Sequence, residues 1–282
     1  MALLLGIIFV QFFEHPFPET NKKLTSSLLR ISVVGLGFGL NAGIAIQAGK
    51  EGFWFTLVSI FGVLLLGYFL GKIFKVNKTT SFLISGGTAI CGGSAIAAFA
   101  PIVRAKQDQI SVALGVIFIL NSVALFIFPY IGTYINLSEA DFGLWCAIAI
   151  HDTSSVVGAA AKYGDDSLKI ATTVKLARTL WIIPIAFAST FIFKNRSAKI
   201  KIPYFIGFFI LAIIANSYIP FINKISPYIV EIAKAGLKLC LFLIGSSLTS
   251  KMLRTVGLSP IVQGTILWIA ISIFSLLAII YI

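Results

Sequence analysis

Ser85-Gly86-Gly87-Thr88-Ala89-Ile90-Cys91-Gly92-Gly93-Ser94 lies in the middle of an apolar run covering residues 80–101. A run of this length predicts a membrane helix, since a bilayer core takes about 20 apolar residues. Four of the eight residues Gly86–Gly93 are glycine, and each costs about 1 kcal/mol relative to alanine inside a helix. The helix is therefore expected to break near its centre. Backbone groups freed by such a break cannot face lipid and must be buried in protein or line a cavity. Beyond the break, Ser94–Ala100 reads as a half-helix whose N-terminal N–H groups would favour an anion. Thr88, Cys91, Gly92, Gly93 and Ser94 are candidate binding residues on this reading. The alternative is a packing face of small residues.

Ile148-Ala-Ile-His-Asp-Thr-Ser-Ser-Val-Val-Gly-Ala-Ala160 echoes Thr88–Ala100 at an offset of 60, with the polar break at the same place. His151, Asp152, Thr153, Ser154 and Ser155 thus form a second break, within residues 141–161. Ionisable residues at membrane depth are costly and mark substrate, ion or proton paths. The hydroxyls could cap a second half-helix, and Asp152 could hold a coupling cation or a proton. The alternative is an N-cap near an interface with no transport role. A fainter echo pairs Leu29–Leu40 with Leu237–Leu248 at an offset of 208, relating segments seven apart. Such a separation implies an inverted repeat, a common transporter symmetry.

Working outward, 58% of the residues are hydrophobic and 11% charged, with a mean hydropathy of +1.00. Soluble domains carry about 25% charge. Strict alternation is missing, so the sequence predicts an all-α integral membrane protein, one domain over 1–282. About ten segments are expected: 2–13, 26–48, 52–71, 80–101, 109–134, 141–161, 168–193, 203–220, 226–249 and 258–282. Ala2–Phe13 lacks the basic start and cleavage site of a signal peptide and reads as a short span. Eleven Lys and Arg in the odd-numbered loops against six in the even ones place the odd loops in the cytoplasm.

The net charge of +12 belongs to those loops, not to a nucleic-acid surface. Cys91, Cys146 and Cys240 show no metal-ligand spacing, and the sequence suggests no metal centre or cofactor. A nucleotide-binding fingerprint is also missing, which argues against an ATP-driven pump.

Lys175 and Arg178 are three apart on one face of the seventh segment and are its only charges from Ile170 to Phe193. They could face an anion, pair with Asp152, or snorkel to an interface. Asn121, alone in Ile117–Phe128, could join a cavity or bond a neighbouring helix. Glu231, Lys234 and Lys238 form one stripe that pairing along a helix explains.

Leu29-Arg30 leading to Gly35-Leu36-Gly37, Gly87–Ala98, His151-Asp152-Thr153 and Val174-Lys175-Leu176-Ala177-Arg178 resemble the YeiH-type membrane proteins. These are bacterial inner-membrane proteins described as sulfate exporters, and they typically begin with a further apolar helix. The resemblance implies a fold similar to bile-acid/sodium symporters and cation/proton antiporters. That fold has inverted repeats, a panel domain, and a core with two helices broken where they cross. It leaves the substrate open.

The sequence thus points to a multi-pass protein of the cytoplasmic membrane, embedded in the lipid bilayer, that carries a small anion by alternating access. Coupling to a proton or sodium ion is expected, and a homo-oligomer is compatible with it. An anion channel is the second reading. An intramembrane enzyme built on His151, Asp152 and Ser154 or Ser155 is the third, disfavoured because adjacent helical residues point apart.

Overall fold

The computed structural model describes residues 5–6, 9–10, 18–193, 204–246 and 257–281. Among them, every regular element is a helix. These are α1 (Pro18–Gly37), α2 (Ala42–Ile73), α3 (Lys78–Ala89), α4 (Gly93–Phe99), α5 (Gln107–Tyr134) and α6 (Glu139–Ala149). Then follow α7 (Thr153–Tyr163), α8 (Asp165–Thr179), α9 (Ile182–Ile192), α10 (Tyr204–Tyr218), α11 (Pro220–Gly245) and α12 (Leu258–Tyr281). Among the described residues, four stretches are long and apolar enough to cross a membrane: Thr56–Ile73, Gln107–Tyr134, Asp165–Ile192 and Leu258–Tyr281. Two compact units result, 1–48 with 203–252 and 49–202 with 253–282.

In the first unit α1 packs on α10 and α11. Gly35 lies against Ala233, where an added Cβ would come within 2.8 Å of the alanine methyl. The sequence predicts a loop at 49–51, yet those residues continue α2 and the chain breaks earlier, at 38–41. Local polar chemistry accounts for the shift. Asn41 Oδ1 accepts the Gly43 N–H at 2.8 Å, Asn216 Nδ2 donates to Leu40 O at 3.0 Å, and the Ala42 N–H donates to Ser217 Oγ at 2.8 Å. The backbone groups freed by the break are thereby satisfied, as burial requires. The expected span 2–13 lies largely outside the described residues. So do the basic residues Lys194, Arg196, Lys199, Lys201, Lys251 and Arg254.

The second unit holds both predicted breaks, at 90–92 and 150–152. The sequence predicts two broken helices, and the family resemblance implies that they cross; in the structure each instead folds back on itself. α4 returns along α3, with Gly86 against Phe99, Gly87 against Ile96, and the Phe82 and Phe99 rings 5.5 Å apart. α5 then starts beside the start of α3, where Gln109 Nε2 donates to Asn77 Oδ1 at 2.9 Å. α7 likewise returns along α6. Tyr163 stacks on Phe142 at 3.7 Å, and its hydroxyl donates to Leu137 O at 2.7 Å. Each pair is therefore a hairpin whose two ends lie on one side, the form of a re-entrant element.

The hairpins enter from opposite ends. α5 runs from Gln109, beside the mouth of the first hairpin, to the Tyr134–Leu137 region beside the mouth of the second. At about 1.5 Å per residue, the 12-residue α3 and 11-residue α6 reach about 18 and 16 Å. Together they are about as long as a hydrocarbon core of about 30 Å is thick, and the tips meet between the two ends of α5. α8 and α9 cross in the other direction from α5, ending where Phe193 packs on Phe82 at 5.0 Å and under the Lys78 ammonium at 5.5 Å.

Helix packing fixes the first hairpin. Gly67 and Gly71 of α2 sit against Ser85 and Ser81 of α3, closer than any Cβ would allow. Gln263 of α12 donates to Ser81 Oγ at 2.7 Å and to Gly67 O at 3.1 Å, joining three helices in one polar knot.

This topology makes a prediction that the crossing arrangement does not share. Single cysteines at Lys78 and Lys106 should label from one face of the membrane, and cysteines at Glu139 and Lys162 from the other. Labelling of Lys78 and Lys106 from opposite faces would refute the first hairpin.

Candidate functional site

The turn at each hairpin tip frees carbonyls at the end of its first arm, where the helix dipole is negative. Two cations of α8 take them. Arg178 Nε donates to Ala89 O at 2.7 Å, and its Nη1 to Ile148 O at 3.3 Å, so one guanidinium ties both tips together. Lys175 Nζ donates to Ile150 O at 2.7 Å and to Ala147 O at 3.3 Å. Both side chains are 0% exposed, which rules out snorkelling, and neither pairs with a carboxylate among the described residues. Arg178 lies 13 residues into α8, about 20 Å from its start, level with the tips.

The tips themselves touch. Gly92 has φ +63°, and a Cβ built on it would lie 3.5 Å from both Cα and Cβ of Asp152. Asp152 caps α7, its carboxylate accepting the Ser154 N–H at 3.1 Å and the Ser154 hydroxyl as well. Asn121 of α5 holds the same tip from the side: its Oδ1 accepts the N–H of His151 at 3.1 Å and of Asp152 at 3.4 Å.

The junction of the two tips thus gathers Gly92, Asn121, His151, Asp152, Ser154, Lys175 and Arg178, with Thr88 and Cys91 buried along the first tip itself. Thr153 and Ser155 are buried in the first turn of α7, whereas Ser94 at the start of α4 is exposed. Several polar atoms at the junction are buried without a hydrogen-bond partner. They are Thr88 Oγ1, Asn121 Nδ2, both ring nitrogens of His151 and Arg178 Nη2. A buried polar group without a partner costs about 1–3 kcal/mol, so each of these atoms would gain from a polar partner. A separate apolar cavity of about 310 Å³ lies on another face of α8, between Phe53, Trp181 and Pro184.

Two of these features have no local signal in the sequence. The carbonyl-capping role of Lys175 and Arg178 involves partners 25 to 89 positions away. Gln263 is one polar residue in an apolar helix, and its partners on α2 and α3 lie 178 or more positions off. The Gly67-x-x-x-Gly71 spacing was the available signal for the close approach of α2 and α3.

Fold and site together define a helical membrane protein with paired re-entrant hairpins around a buried arginine. The chain belongs to the family described as Conserved hypothetical protein 698, whose profile matches residues 1–264. It is 56% identical to a UPF0324 membrane protein of Bacteroides thetaiotaomicron, over all of this chain and 86% of that protein. A UPF0324 membrane protein of Porphyromonas gingivalis is 50% identical over 98% of this chain and 85% of its own length. One of Shewanella oneidensis is 49% identical over 100% and 89%. No solved structure matches the chain.

Proposed function

We propose that this protein is a secondary transporter that moves a small anion across the cytoplasmic membrane by alternating access, coupled to a proton or a sodium ion. The observation that carries this reading is the junction itself. Two hairpins entering from opposite ends meet near mid-membrane, where unpartnered donors of Thr88, Asn121 and Arg178 are buried. Transporters commonly place substrate sites at such discontinuous elements, between inverted repeats. The offset-60 echo supports the symmetry, because it aligns Gly92 with Asp152, the two residues that touch. One repeat would be the first hairpin with α5, the other the second hairpin with α8 and α9. Asp152 at the junction is the candidate for the coupling ion. The likeness to YeiH-type proteins suggests sulfate as the first anion to try.

Charge orients the protein. Lys72, Lys75, Lys78, Arg104 and Lys106 lie at the end where the first hairpin enters. Lys162 and Lys169 lie at the other, among Glu139, Asp141, Asp165 and Asp166. Five basic residues against three, counting Lys50 towards the far end of α2, favour the first end as the cytoplasmic one.

Proteoliposomes holding the purified protein should show saturable anion uptake driven by a proton or sodium gradient. Single-channel currents in planar bilayers would favour the channel reading, and absence of any anion flux would reject both. A hydrolytic role has weaker footing, since the Ser154 hydroxyl is bonded to Asp152 and not to an imidazole.

A further inference from the structure

Resting on the transport reading, we infer that the site at the hairpin tips takes a singly charged oxyanion, of carboxylate or nitrate type, in preference to a dianion such as sulfate. Three observations lead there. The first is the fixed charge. Among the described residues the fully buried cations are Lys175 and Arg178, and the half-buried carboxylate beside them at the tip contact is Asp152. With histidine counted as neutral and Asp152 free of its coupling ion, their formal charges leave one positive charge for a ligand to balance.

The second is how those cations are already engaged. Lys175 Nζ is bonded to two backbone carbonyls, and Arg178 spends Nε and Nη1 on two more. These bonds neutralise the negative ends of α3 and α6, so they cannot also be given to a ligand without freeing the hairpin tips. One charged nitrogen has no partner at all, Arg178 Nη2, while Lys175 Nζ and Arg178 Nη1 each keep one uncommitted N–H. The other free donors, Thr88 Oγ1 and Asn121 Nδ2, are neutral. One unpartnered charged nitrogen among neutral donors suits an anion of one charge.

The third is burial. Thr88, His151 and Arg178 are 0% exposed and Asn121 is 2% exposed. A second negative charge in such surroundings would lie close to Asp152 without compensation, and an uncompensated buried charge is strongly disfavoured.

Asp152 provides the test, because asparagine caps a helix as well as aspartate does and so preserves the fold at this tip. Binding is best read by titration calorimetry at constant ionic strength, since sulfate stabilises folded proteins by exclusion from their surfaces and would confuse a melting assay. For the wild-type protein, nitrate, formate and acetate should bind at least about tenfold more tightly than sulfate, thiosulfate and oxalate, about 1.4 kcal/mol or more. Asp152→Asn, which adds one net positive charge, should narrow that ratio or reverse it. Competition in proteoliposomes should follow the same order.

Sulfate binding as tight as nitrate in the wild type would overturn the inference. So would an unchanged ratio in Asp152→Asn. Either result with gradient-driven anion uptake intact leaves the transport reading standing. If no anion of either charge binds or moves, the inference and the transport reading fall together.

Discussion

Replacing Arg178 with leucine should abolish anion uptake and destabilise the protein by about 2–4 kcal/mol. Two buried carbonyls, Ala89 O and Ile148 O, lose their charged donor at once. Each such acceptor left unsatisfied costs about 1–3 kcal/mol. The loss is partly offset because a buried guanidinium carries its own desolvation cost, which leucine removes. Arg178→Lys separates the two consequences. It keeps a cation at the C-terminal ends of the first arms, but an ammonium lacks the planar fork that reaches both hairpins and still leaves Nη2 free. That variant should melt closer to the wild type than Arg178→Leu does, yet carry little anion. Melting in detergent and uptake in proteoliposomes read the two effects. If Arg178→Leu melts within about 0.5 kcal/mol of the wild type, as harmless surface changes do, the arginine does not link the tips.

The breaks were legible because their signals are local. Gly86, Gly87, Gly92 and Gly93 oppose a continuous helix by propensity alone, and His151-Asp152 is an expensive pair in an apolar run. Even the contact between the breaks followed from their matching positions in the offset-60 echo. Whether a broken segment runs on or turns back was not legible, because both paths bury the same apolar residues and give the same hydropathy profile. What separates them are contacts between distant residues: Asn77 with Gln109, Phe82 with Phe99, Phe142 with Tyr163. One hint lay in the charges. Arg104 and Lys106 oppose the charge bias if the segment before them crosses, and agree with it if that segment turns back.

Lys175 and Arg178 show a different limit. Their spacing places them on one face, but periodicity says nothing about what that face meets. Snorkelling and substrate contact were the natural readings, yet both side chains are committed to backbone carbonyls. The need for such donors could have been foreseen, since every re-entrant tip leaves carbonyls to satisfy. Which cations supply them is decided by the tertiary fold.

Gly92→Ala should destabilise the protein by about 1–3 kcal/mol, the usual cost of holding a side chain in a sparsely populated backbone region. With φ +63° and ψ −121°, Gly92 occupies a conformation that residues with a Cβ rarely adopt. The added methyl would also press on Ile117 Cγ2 at 3.1 Å and touch Asp152 at 3.5 Å, across the contact between the two tips. Its neighbour is the control. A Cβ on Gly93 would meet Leu114 Cδ2 at 3.5 Å and Phe118 Cζ at 3.8 Å, ordinary contacts, and Gly93 opens α4, where alanine is the better helix former. Gly93→Ala should therefore leave the melting temperature unchanged or raise it. Transport should separate the pair in the same direction, because the strain at Gly92 and its pressure on Ile117 fall at the tip that meets Asp152, whereas the methyl at Gly93 faces α5. Equal melting of the two variants would mean that the first hairpin does not turn at Gly92, and the tip contact with Asp152 would fall with it.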